Sequence, residues 1–99
     1  MRRAARVDAN QVAIVKALRD IGASVCVTSS LGKGFPDIVV GLRGKNYLLE
    51  IKDPGKPPSA QKLTDLEASW HERWRGQVAV VKTVQETIFA VYGTKFNRM

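Results

Sequence analysis

Gln11, Ile14, Val15, Leu18 and Ile21 recur at three- and four-residue intervals, the spacing of one helix face. The pattern predicts a helix over 7–21. Asp8 and Gln11 read as a capping pair at its start, and Gly22 reads as its stop. Residues 24–28 are rich in β-formers and predict a strand. Residues 29–35 form a loop loosened by Gly32 and Gly34. Two further strands follow at 37–42 and 47–52, joined by the turn-rich link 43–46, which suits a hairpin. Pro54, Pro57 and Pro58 end regular structure over 53–58, because proline lacks an N–H donor and restricts its neighbours. Ser59 then caps a helix to about Trp74, with an apolar stripe of Leu63, Leu66, Trp70 and Trp74. Residues 77–81 make a strand. Thr83 and Glu86 form a capping box for a last helix running through Ile88, Phe89 and Tyr92 to Gly93. The order is helix, three strands, helix, strand, helix, which implies an α/β mixed sheet with helices packed on it.

The hairpin strands carry the chemistry. Side chains alternate faces along a strand. Glu50 and Lys52 therefore share one face, and Tyr47, Leu49 and Ile51 the other. With the apolar face supplied by those three, the Glu50 face is expected to open onto solvent or a cleft. A hairpin centred on Arg43-Gly44 sets Asp37 directly opposite Glu50, with Cβ atoms about 4.5–5.5 Å apart. Two carboxylates that close repel unless a cation lies between them. Oxygen ligands suit a hard divalent ion such as Mg2+ or Mn2+, and Lys52 would stand beside it.

Composition changes the picture in one respect. Sixteen Lys and Arg against nine Asp and Glu give a net charge of +7, which favours a polyanionic partner such as DNA. Otherwise 99 residues, 44% of them hydrophobic, fit one globular domain over 1–99. No apolar run approaches the length of about 20 residues that a membrane span needs, so no membrane association is expected. The basic start, with Arg2, Arg3 and Arg6, reads as an arm and not as a secretion signal. Cys26 is the sole cysteine and cannot make an internal disulfide.

Gly34-Phe35-Pro36-Asp37, then Glu50-Ile51-Lys52 thirteen residues on, then Ser59-Ala60-Gln61, resemble the PD-(D/E)xK nuclease superfamily, and within it the virus-type replication-repair nuclease (VRR-NUC) domain. The resemblance runs from about Asp8 to Gly93. It implies a restriction-endonuclease-like fold and a metal-dependent DNA endonuclease. The implied metal set is Asp37, Glu50, the carbonyl of Ile51 and an acidic residue on the first helix, here Asp8. Aspartate is shorter than the family's usual glutamate, so Asp8 is read either as a ligand or as a helix cap. Lys52 is implied to orient the attacking water or stabilise the transition state, and Gln61 to hold a metal water or a phosphate. Small members of this kind resemble homodimers that act on branched DNA such as four-way junctions, in a bacterial or phage-infected cytoplasm. Alternatives are a nuclease for plain duplex or nicked DNA, an inactive nucleic-acid-binding protein and a basic interaction protein.

Other positions carry less. Gly32-Lys33-Gly34 lacks the spacing of a phosphate-binding P-loop, so no nucleotide cofactor is expected. Lys33, Arg43, Lys45, Lys56 and Lys62 are the phosphate-contact candidates. His71 has no ligand partners at metal spacing and reads as a surface or packing residue. Trp70 and Trp74 read as core.

Overall fold

The computed structural model describes residues 8–92. The arginines at 2, 3 and 6, Val7 and the expected stop at Gly93 lie outside that range. Helix α1 spans Ala9–Asp20 and buries Gln11, Ile14, Val15 and Leu18, the face its periodicity marks except for Ile21, which follows the helix and is 38% exposed. Asp8 is the extended N-cap residue, but its side chain caps nothing. The Gln11 N–H donates instead to the Asp8 backbone carbonyl, so the expected side-chain capping pair does not form. Gly22 closes the helix with φ at +96°, a conformation that glycine adopts without strain.

Four strands follow: β1 Ser24–Val27, β2 Ile38–Leu42, β3 Lys45–Ile51 and β4 Ala79–Val81. They lie in the order β1-β2-β3-β4, with the first two pairings antiparallel and β4 parallel to β3. The β2–β3 turn is Arg43-Gly44, with φ at +53° and +78°. Two positive φ values match the twist of a two-residue hairpin. Leu42 therefore pairs with Lys45 and Gly41 with Asn46, and β3 begins two residues earlier than its apolar run predicts.

Helix α3 spans Val84–Tyr92. It packs with α1 on the face made by Ile38, Val40, Leu49 and Ile51. Burying aliphatic side chains of this size contributes about 1.5–3 kcal/mol each, so this face holds the sheet together. The opposite face carries the other half of the alternation, including Glu50 and Lys52.

The largest departure from the sequence reading lies after the prolines. The predicted helix over 59–74 is two pieces: a 3-10 turn at Pro58–Gln61, then helix α2 at Asp65–Arg73. Lys62 is extended between them. Thr64, not Ser59, caps α2, in a complete capping box with Glu67. That reciprocal pair satisfies two orphan donors at once, an advantage that Ser59 lacks. The expected apolar stripe is not core either. Leu66 is 65% and Trp74 41% exposed, and α2 buries no residue fully. Trp70 is half-buried, stacked on Trp74 and edge-on to Phe35. Gly34 permits this docking. Its φ is +87°, and a Cβ there would sit 2.9 Å from the Leu66 carbonyl carbon and closer still to its oxygen. Among the described residues no helix is long and apolar enough to cross a membrane.

Candidate active site

Asp37 lies one residue before β2, just beyond the Ile38–Leu49 pair. Continuing that register sets it opposite Glu50, as the hairpin argument expects. Its N–H donates to the Leu49 carbonyl at 3.1 Å, and its Oδ2 accepts the Ile51 N–H at 2.7 Å. The carboxylate is thus fixed at the end of the hairpin by the residue next to Glu50.

Glu50 is 2% exposed and Lys52 8%. Of the two expected outcomes, solvent or a cleft, their face does not open onto solvent, because Glu67 of α2 lies over it. Glu67, on the first turn of α2, accepts from Lys52 Nζ at 2.7 Å. The same oxygen accepts the Thr64 N–H at 2.9 Å. Lys52 Nζ lies 3.8 Å from Glu50 Oε2, a looser approach. The other oxygen, Glu50 Oε1, is buried with no hydrogen-bond partner.

The electrostatics follow from this crowding. Burial, then the Asp37 charge and hydrogen bond, then Glu67, push the Glu50 carboxyl up to about 10. Burial also raises Asp37, against the Ile51 N–H and the hydrogen bond with Glu50. The two act as one proton-sharing pair. Burial works against the Lys52 ammonium, but Glu67, Glu50 and Asp37 together outweigh it and raise its pKa. Burial works against the Glu67 carboxylate too, and the Lys52 and Thr64 hydrogen bonds outweigh it, holding Glu67 below its ordinary value. A buried and a half-buried carboxylate with an orphaned oxygen fit a hard divalent cation: the ion would replace the shared proton. Among the described residues, no three His, Cys, Asp or Glu side chains form a ready metal cage.

The remaining sequence candidates divide. Asp8 Oδ1 accepts from Lys56 Nζ at 2.7 Å, so its carboxylate is held by a lysine and neither caps the helix nor joins Asp37 and Glu50. Gln61 donates to the carbonyls of Pro54 and Lys56. It stitches the proline-rich loop and is not brought to the carboxylates. Lys33 and Lys62 are exposed in the loops that precede β2 and follow β3, at the site's end of the hairpin. Arg43 and Lys45 sit at the other end of it. Arg43 is six positions along the chain from Asp37, which at about 3.3 Å per residue is roughly 20 Å. Flanking in sequence is not flanking in space here, and the Arg43 guanidinium lies 4.3 Å over the Tyr92 ring. His71 is half-buried beside Trp70, and burial lowers its pKa.

Two residues at the site escaped the sequence reading. Glu67 had a signal, since Thr64-x-x-Glu67 is a capping-box pattern, but nothing in it tells that the carboxylate also meets Lys52. Asn10 had none. Its Nδ2 donates to the carbonyls of Lys52 and Lys82, each at 2.9 Å, clamping α1 to the point where β3 and β4 part.

No protein-family model matches this chain, and no curated protein does. A solved structure described as a VRR_NUC domain is similar at 24% identity, over 85% of this chain and 91% of that one, with a TM-score of 0.62. The likeness shows that the chain has the fold of a VRR_NUC domain, a mixed four-stranded sheet flanked by helices.

Proposed function

We propose that this chain is a divalent-metal-dependent DNA endonuclease that hydrolyses phosphodiester bonds. The observation that carries the reading is the pairing of half-buried Asp37 with buried Glu50, with Glu50 Oε1 unpartnered and the Lys52 ammonium 3.8 Å from Glu50 Oε2. Asp37 and Glu50, with the carbonyl of Ile51, would hold Mg2+ or Mn2+. When bound, the ion supplies an activated water and charge neutralisation at the scissile phosphate.

The chain's own residues do the rest. The Ile51 N–H fixes the Asp37 carboxylate, so one oxygen is oriented before any ligand arrives. Lys52, donating to Glu67 at 2.7 Å, is held as a cation and offers positive charge to the developing phosphorane. Burial excludes water from around Glu50, which strengthens each of these interactions. Lys33, Lys56 and Lys62, at the site's end of the sheet, are the phosphate-contact residues. Asp8 stays outside the ligand set while Lys56 holds it.

The substrate is DNA, in keeping with the net charge of +7. Branched DNA such as a four-way junction, cut by a homodimer with two sites, is the form this reading takes, because a symmetric junction needs two incisions. The test is cleavage of a labelled junction, a duplex and a single strand, side by side, with Mg2+, Mn2+ or chelator. Metal-dependent cutting, lost in Asp37→Asn and Glu50→Gln, is the expected result. Binding without cutting would mean an inactive DNA-binding protein. Cutting by either variant at the parent rate would overturn the site.

A further inference from the structure

Lys52 has three carboxylates within its neighbourhood, and it sides with the one that the metal does not need. Its ammonium is 2.7 Å from Glu67 and 3.8 Å from Glu50. Glu67 is held in place for this contact. One of its oxygens takes both the Lys52 ammonium and the Thr64 N–H, and its own N–H donates to Thr64 Oγ1. The first turn of α2 is in turn seated by the close approach of Gly34 to the Leu66 carbonyl. On the other side of the lysine, Glu50 Oε2 is left 3.8 Å from the ammonium, beyond hydrogen-bond reach, and Glu50 Oε1 has no hydrogen-bond partner.

We infer that Glu67 is a positioning residue that draws Lys52 away from Asp37 and Glu50, leaving their oxygens free for a divalent cation. The inference rests on the reading of Asp37 and Glu50 as a metal site. Without Glu67, the carboxylates left to attract the ammonium are Glu50, 3.8 Å away, and Asp37. Lysine and metal would then compete for the same oxygens. Glu67 therefore acts through Lys52, and its effect should vanish when Lys52 carries no charge.

Calorimetric titration of the whole chain with Mn2+ tests this without reference to cleavage. Glu67→Ala should weaken Mn2+ binding about tenfold, the lower end of what residues supporting a metal ligand contribute. In a Lys52→Met background the same change should alter affinity by less than about twofold, which is the non-additivity expected of a coupled pair. Glu67→Gln keeps an oxygen for Lys52 and for the Thr64 N–H, and should stay within about threefold of the parent, a much smaller loss than that of the alanine variant. Thr64→Ala removes the Oγ1 that accepts the Glu67 N–H but keeps the backbone N–H that the Glu67 carboxylate accepts, and should cost Mn2+ affinity much less than Glu67→Ala. Equal losses with and without Lys52 would overturn the inference, since they would mean that Glu67 acts on the ion directly. A Thr64→Ala loss matching Glu67→Ala would reduce Glu67 to a helix cap. A parent chain that binds no Mn2+ would overturn the metal-site reading itself, and this inference with it.

Discussion

Glu50→Gln should make the metal-free protein more stable at neutral pH. In the folded chain, burial and the Asp37 carboxylate push Glu50 up to about 10, from an ordinary value of 4.5. Between those values the folded state holds a proton that the unfolded state has released. Stability that is fully present below pH 4.5 is then lost progressively as pH rises toward 10. At pH 7 the interval from 4.5 is two and a half pH units, and at about 1.36 kcal/mol each the cost is about 3 kcal/mol. Glutamine is neutral at every pH and its amide can still donate to Asp37, so it escapes that cost. A gain of this size in a domain of about 100 residues shifts the melting temperature by on the order of 10 °C. The assay is thermal melting by circular dichroism in chelator, at pH 4 and pH 8, for parent and variant. The two should melt together at pH 4 and separate at pH 8, with Glu50→Gln higher. Saturating Mg2+ should reverse the order, because an ion that binds only the folded parent stabilises it by mass action. A variant no more stable than the parent at pH 8, or a gap equal at both pH values, would refute the crowded-carboxylate account.

Gly34→Ala should cost at least about 2 kcal/mol, read as a lower urea midpoint, because it combines a strained positive φ with a collision at the Leu66 carbonyl. Asp8→Asn should alter stability by less than about 1 kcal/mol, since the Lys56 pair it loses is partly exposed and such pairs are weak; a large loss of cleavage in that variant would bring Asp8 back into the metal set. Lys52→Ala should lower kcat by about a hundredfold or more, the size expected when an electrostatic stabiliser of the transition state is removed; a change confined to KM would assign it to substrate binding. DNA affinity should fall with salt, by a log–log slope of about −0.9 for each phosphate neutralised on duplex. Charge reversal at Lys33 should flatten that slope while the same change at Arg43, stacked on Tyr92 at the far end of the hairpin, should not.

Local pattern alone determined much of this protein. The 3.6-residue periodicity of Ile14, Val15 and Leu18 marked the buried face of α1. The alternation in 47–52, with Arg43-Gly44 as a two-residue turn, set the register that brings Asp37 opposite Glu50. These features are local, because a strand's period and a turn's length fix which side chains meet. The same local logic failed at 59–74, where an apolar periodicity invited one helix. There Thr64 and Glu67 satisfy each other's backbone donors, and α2 leaves Leu66 exposed while docking its backbone against Gly34. Only the tertiary structure decided that Glu50 and Lys52 are buried, that Glu67 from a distant helix holds Lys52, and that Asn10 ties α1 to the ends of β3 and β4. The hairpin's own register already puts Arg43 and Lys45 at its far end from Asp37, whereas only the tertiary structure showed that Lys56 holds Asp8. Each of these is a contact between segments far apart in sequence. Periodicity carries no information about such contacts, because it describes which way a side chain faces and not what arrives there.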